Sequence, residues 1–449
     1  MAMGVGGDSE DDAWGKAVLA KVTRRLIPFL FVLYMAAFLD RANLSIAKLG
    51  MNKLVWFTDH IYGVAAGIFF IGYFLFEVPS NIILERVGAR LWIARIMFTW
   101  GVIAMAMACI NSAWLFYTLR FLLGIAEAGF FPGIILYLTF WYTAADRARI
   151  VGLFMTATAL ANAIGSPLSG ALLGLHGFGL HGWQWLFIVE GLPSVLLAFA
   201  VLAYLPNGPQ TATWLSQKEK DWLISRVHAE QVEKAKRHHP SMRLVFANPN
   251  VWLLCLLYST VSMSQYGFTF WVPTIVKSLG HLQDYQVGLL VAIPYIGAAI
   301  SMVLNGRHSD RVGERSLHFA VPSMVGAIGL IISAYMNSTV GMILSLTLAA
   351  FGMWAVLGPF WTLPTAFLSG TAAAAGIAFI NSVGNLGGWG AGSAFEWVKE
   401  HTKDWGVGPT KDFFWTFILM AAIVLFGAAL ALRFRDKPER VRGGDGVSS

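Results

Sequence analysis

Apolar runs about 20 residues long, the length a helix needs to cross a bilayer, recur twelve times along the chain between short polar breaks. They centre in 26–47, 63–84, 91–110, 113–138, 148–174, 183–205, 249–273, 284–306, 317–336, 340–367, 372–396 and 412–433. Each predicts a membrane-crossing helix. Such a helix satisfies its own backbone hydrogen bonds, so Gly and Pro inside many of these runs do not argue against helix. The pattern is six spans, one long polar stretch, then six more. It predicts an all-α membrane protein of 12 transmembrane helices in two six-helix halves. Its parts are an N-terminal segment (1–25), a first bundle (26–205), a linker (206–248), a second bundle (249–433) and a tail (434–449).

Composition agrees with this pattern: 57% of residues are hydrophobic and 13% charged, far from a soluble globular average. The 46 glycines point to close helix packing more than to loops. A net charge of +7 raises nucleic acid as a partner, but its distribution argues against it. Lys and Arg concentrate on one side of the predicted bundle, and that positive-inside bias puts both termini in the cytoplasm. Lys399, Lys403 and Lys411 are exceptions. They lie among Glu400, Asp404 and Asp412 and read as a solvated outer face. The acidic, Gly-rich stretch from Met1 to Asp12 lacks the pattern of a signal peptide and reads as disordered. Cys109 and Cys255 fall in spans without metal or disulfide spacing. Within the linker, 215–236 reads as a surface helix with Trp222, Leu223, Val227 and Val232 on an irregular apolar face. The string from Gly177 to Gly182 matches GxGxxG, but it joins two spans where a dinucleotide loop needs a β-strand before it. No zinc spacing or nucleophile elbow occurs, so an enzyme, a metal site and a resident cofactor are not expected.

One polar pattern occurs twice. Asn81, Glu85, Arg86, Gly88 and Arg90 after the second span return as Gly306, Asp310, Arg311, Gly313 and Arg315 after the eighth, half the chain later. Recurrence at matching places implies a duplicated architecture. The pattern resembles the loop between helices two and three of the major facilitator superfamily and its echo between helices eight and nine. The first copy departs from it in opening with Asn81 where the family has glycine. The resemblance implies that Glu85, Arg86, Arg90, Asp310, Arg311 and Arg315 act as inner gates, pairing across helix ends while the carrier faces outward.

Charges also sit inside spans: Asp40 and Arg41 in the first, Arg120 and Glu127 in the fourth. A charge at a helix centre costs roughly 2.5–3.5 kcal/mol on insertion scales, so such residues pair or line an aqueous path. Arg120 and Glu127 are two turns apart, about 10 Å along one helix face, and are expected to meet the first-span pair across a shared interior. Arginine grips a carboxylate through two parallel hydrogen bonds. An acid in a poorly hydrated site exchanges protons near neutrality. The combination suits transport of an anion coupled to protons, while static salt bridges that merely hold the bundle closed are the plain structural alternative.

Residues 38–43, Arg120 to Ala128, Tyr73 to Gly88, Gly358 to Trp361 and Asn381 to Asn385 are similar to the anion:cation symporter branch of this superfamily, whose members carry tartrate, phthalate, galactonate and related acids. The likeness covers essentially all twelve spans. It implies substrate contacts from Arg41, Arg120, Tyr73 and Asn381, with Glu127 and Asp40 as proton carriers. Phe38 and Thr158 stand where the galactonate type has tyrosine and glutamine, which implies a cargo shorter or more aromatic than a hexonate. Gln265, Tyr266, Trp271, Trp354 and Trp361 are candidates for the opposite wall. Glu77 and Asn81 read equally as a gate or as interfacial snorkelling groups. Asn381 and Asn385 read either as ligand contacts or as a helix–helix pair. Glu190 reads as structural or as transport-active. The expected protein is a proton-coupled importer of an organic carboxylate in a bacterial inner membrane, monomeric, with small organic anion, protons and lipid as its partners. Organic-anion exchange without net proton coupling is the alternative. Export of drug-like cations is disfavoured by two arginines in the membrane, and a receptor lacks a sensory domain.

Overall fold

The computed structural model describes residues 7–237, 247–367, 371–403, 405 and 410–434. The first six residues, part of the linker, Asp404 and nearly all of the 434–449 tail lie outside them. The first half comprises α1 (Gly7–Met51), α2 (Asp59–Val87), α3 (Ala89–Ala106), α4 (Ala113–Glu127), α5 (Phe130–Thr139), α6 (Ala144–Leu172) and α7 (Gly182–Tyr204). The linker contributes α8 (Gln217–Arg237). The second half comprises α9 (Pro249–Ser278), α10 (Asp284–Val312), α11 (Ser316–Tyr335), α12 (Thr339–Ala355), α13 (Leu357–Phe367), α14 (Thr371–Thr402) and α15 (Phe414–Ala431). These helices make twelve crossings. Among the described residues, ten crossings are long and apolar enough to span a membrane by themselves. The other two, α9 and α14, are just as long but more polar, and they face each other inside the second half.

In each half the fourth crossing is broken, where the hydrophobic pattern predicts one helix. In the first half the break follows Glu127 at once. Gly129 turns the chain with φ 83, and a Cβ there would run into the Ser80 side chain. The matching break in the second half separates α12 from α13. The repeated polar pattern also has a backbone cause. Gly88 and Gly313 end α2 and α10 with φ of 97 and 74, a region open to glycine and strained for other residues. The GxGxxG string forms a tight turn, with an isolated bridge between Gly177 and Leu180.

α1 begins at Gly7 and continues unbroken into the first span, so residues 7–12, expected to be disordered, are helical. Its first turns reach the linker helix. Trp14 packs edge-on against Trp222 at 5.7 Å, and Lys21 pairs with Glu219 at 2.9 Å. On α8, Leu223 and Val227 are buried and Val232 is exposed. The linker helix therefore docks on the extension of α1.

The halves meet where α2 packs on α14 and α6 on α10. Small residues let the backbones approach: Gly63 faces the Gly392 carbonyl, and Gly288 faces the backbone of Ser166. A further aromatic contact joins Phe131 of α5 to Trp361 of α13, with ring centroids 5.6 Å apart.

Candidate functional site

Between the halves lies a cavity. Phe38, Arg41 and Thr158 line it from the first half, and Tyr258, Gln265, Tyr266 and Trp354 from the second. Arg41, on α1, is the only charged side chain lining it among the described residues. Its Nη2 stands 2.5 Å from Glu127 Oε1, and its Nη1 donates to the Tyr266 hydroxyl at 2.8 Å. The guanidinium lies over the rings of Phe38, Phe69 and Tyr73 at 5.1, 5.5 and 5.2 Å. One arginine thus links an acid of α4 to a phenol of α9, across the boundary between the halves. The pair is almost fully buried, and removing one partner of such a pair leaves an uncompensated charge.

The other expected residues are placed differently. Arg120 shares its helix with Glu127, but its Nε donates to the Ala65 carbonyl at 3.1 Å and its guanidinium lies 4.9 Å from the Phe69 ring. It does not line the cavity. Tyr73 supports Arg41 from behind. Asn381 gives its Nδ2 hydrogen to Glu77 Oε1 at 2.6 Å, which ties α14 to α2. Glu77 is fully buried, so it does not snorkel to an interface. Trp361 packs on Phe131 and Tyr258 and, like Asn381 and Tyr73, stays behind the cavity surface. Trp271 was a candidate for the cavity wall; it sits instead near one end of the bundle, under Lys48.

Asp40 precedes Arg41 but points into the first bundle. Trp100 Nε1 and Ser194 Oγ both donate to its Oδ2, at 2.5 and 3.0 Å. Glu190, close by on α7, accepts from Ser169 Oγ at 2.6 Å. Among the described residues no Lys, Arg or His forms an ion pair with either acid. The first half therefore holds two acidic sites, one with a cation and one served by neutral donors.

The two ends of the bundle also differ. At the end bearing the repeated pattern, Glu85, Arg86 and Arg90 are exposed, and no ion pair crosses between the halves there among the described residues. The Arg90 backbone N–H caps onto Asn207 Oδ1 at 3.0 Å. Asp310 pairs with Arg315 at 2.7 Å, but within the second half. Arg311 is exposed. Glu314 caps α11. Partial burial pushes its carboxyl up, but the N–H groups of Leu317 and His318 and the His318 ring outweigh this and hold it below the usual carboxylate range.

At the opposite end the halves are clamped. Asp59 pairs with the fully buried Lys48 at 2.8 Å and with Lys399 of the second half. Lys48 Nζ lies over the rings of Tyr62 and Trp271 at 4.4 and 4.1 Å. The Tyr62 hydroxyl donates to the Phe270 carbonyl at 2.8 Å, and His60 approaches Glu396 at 3.4 Å. Lys399 is thus part of a closure between halves and does not belong to a solvated face. Lys403 pairs with Glu400 at 3.0 Å on the surface, as expected. Sequence reasoning missed Lys48 and Asp59. A lysine at the very end of the first span, facing an acid at the start of the second, was the available signal.

The family profile described as "Major Facilitator Superfamily" matches residues 30–392. A protein of Agrobacterium vitis named "Putative tartrate transporter" is 48% identical over 392 residues, covering 87% of this chain and 90% of that protein. An Acinetobacter baumannii protein named "Quinolone resistance transporter" is 42% identical over 426 residues, covering 95% of this chain and 96% of that one. Among solved structures, a bacterial homolog to the human lysosomal transporter Spinster, inward-facing and unoccupied, superposes with a TM-score of 0.70. Its identity is 17% over 95% of this chain and 99% of that chain, so the likeness concerns the fold alone.

Proposed function

Because this chain belongs to the major facilitator superfamily, we propose that it is a secondary carrier importing an organic carboxylate together with protons across a bacterial inner membrane. The observation that carries this reading is the ion pair of Arg41 and Glu127 at the wall of the cavity between the halves. A carboxylate on the cargo and the carboxylate of Glu127 compete for one guanidinium. Protonation of Glu127 releases Arg41, so cargo anion and proton favour each other's binding, and this linkage is reciprocal. Asp40 is the second proton carrier in this scheme. With both termini in the cytoplasm, the Lys48 end faces outward, and the clamp on Asp59 is the outer closure. The repeated acid–arginine pattern then lies at the inner end and forms its cross-half pairs when the carrier opens outward. Loaded carrier alternates between the two arrangements around a central site.

The relatives' names support the coarse substrate class. Quinolones are themselves aromatic carboxylic acids, so that relative's name fits an arginine-based site as well as tartrate does, and it makes export the second reading. Proteoliposomes without internal substrate decide between these. Acidifying the outside is expected to drive accumulation of labelled acid. Uptake that requires internal anion and ignores the pH gradient overturns proton coupling in favour of exchange. Net efflux driven by inward protons overturns import.

A further inference from the structure

Resting on the reading of the cavity as an organic-acid site, we infer that its cargo is an aromatic monocarboxylate carrying a hydroxyl or amino hydrogen-bond donor, and not an aliphatic dicarboxylate. Three features of the lining lead there. The first is charge. Among the described residues Arg41 is the sole charged lining residue; Arg120 is turned to the Ala65 carbonyl, and Lys48 is held by Asp59 at the end of the bundle. A single guanidinium satisfies a single carboxylate, and a second one taken from water without a partner costs several kcal/mol.

The second feature is the polarity of the remaining groups. Asn162 Nδ2 donates to the Thr158 carbonyl at 2.7 Å, and Gln265 Nε2 donates to the Met353 carbonyl at 2.8 Å. Only an NH₂ group can donate to a carbonyl, so these bonds set the flip of each amide. One N–H of each amide is spent on the wall, and its oxygen remains as an acceptor. The Thr158 hydroxyl likewise donates to the Met155 carbonyl at 2.8 Å and offers lone pairs. Oxygens arranged in this way accept an N–H or O–H from the cargo, and none of them supplies the positive charge that a second carboxylate needs.

The third feature is the walls. Phe38, Tyr258, Tyr266 and Trp354 present rings to the cavity, and Tyr258 is itself stacked on Phe360 at 4.9 Å. Aromatic side chains on both halves suit a planar ring, which packs there by offset or edge contacts. An aliphatic chain with hydroxyls gains less from such walls.

The test is calorimetric titration of the purified full-length protein at mildly acidic pH with 4-hydroxybenzoate, benzoate, terephthalate and L-tartrate. The expected order places 4-hydroxybenzoate first. Benzoate is expected to be about 3- to 10-fold weaker, the scale of one hydrogen bond, and terephthalate and tartrate at least about 30-fold weaker, the cost of a second buried charge. Terephthalate or tartrate binding as tightly as 4-hydroxybenzoate overturns the inference. Equal binding of benzoate and 4-hydroxybenzoate overturns its donor requirement. If none of the four binds, this cargo class is wrong, while proton-driven uptake of another carboxylate in proteoliposomes would still uphold the broader reading.

Discussion

Asp40 and Arg41 are consecutive residues of α1, yet they serve two different sites. Neighbouring side chains on a helix diverge by about 100°, so Arg41 faces the second half while Asp40 faces the interior of the first. Arg41 pairs with Glu127 and touches Tyr266 at the cavity. Asp40 is held by Trp100 and Ser194, with Glu190 nearby on α7, and no cation pairs with either acid among the described residues. The first site can exchange partners, because a cargo anion resembles the acid it displaces. The second has only neutral donors, which an anion cannot replace. The difference shows that buried acids in one bundle are not equivalent: the chemistry of each follows from what faces it.

Substitutions test this contrast directly. The largest effect is expected from Arg41→Lys. A point charge replaces a two-pronged donor, and affinity for the cargo should fall about 10- to 100-fold, the scale of charge-assisted hydrogen bonds. Calorimetry reads this, and unchanged affinity would assign Arg41 to scaffolding. Arg120→Lys should weaken binding less, because Arg120 stands behind the cavity wall. Next comes Glu127→Gln. It should retain binding and exchange of cargo but abolish accumulation driven by an acid exterior. Normal concentrative uptake by this variant would remove Glu127 from the coupling.

Asp40→Asn is expected to act more mildly. Asparagine keeps an acceptor for Trp100 and Ser194, so the fold and cargo affinity persist, while the charge moved per anion falls by one proton. Electrophysiology on supported membranes measures that ratio. An unchanged ratio would leave Glu127 as the sole carrier of protons among these two acids. The smallest effect belongs to Glu190→Gln, which preserves an acceptor for Ser169. Its cost should stay under about 1 kcal/mol by thermal unfolding in detergent, with uptake intact. A loss of coupling here would join Glu190 to Asp40 as one proton site.

Much of the fold is legible in the sequence. Twelve apolar runs, the six-plus-six division, a helical linker and the doubled polar pattern all follow from hydropathy and spacing, and they reappear among helices α1 to α15. The breaks in the fourth and tenth crossings are not legible in that way, because both segments of each break are apolar and the change lies in the backbone at Gly129 and before Leu357. The charges and amides within the spans are legible in the sequence, but their partners are not. Periodicity places Arg120 and Glu127 on one face of a helix, yet Glu127 ends α4 just before a turn and meets Arg41 of another helix. Asn381 reads as a polar lining group, and only the packing of α14 on α2 shows its amide spent on Glu77. Lys399 reads as a surface charge because its neighbours in sequence are charged, whereas its neighbours in space are Asp59, Trp271 and Phe413.

Unaided, the order of residues determined how often the chain crosses a bilayer, that it is built twice over, and which rare charges are placed where lipid would reject them. Hydropathy is a property of each segment alone, so no neighbour is needed to read it. Which charge answers which, and whether an acid looks into the cavity or away from it, was decided only when helices distant in sequence packed together. Partnership depends on direction and distance between elements, and a linear pattern contains neither.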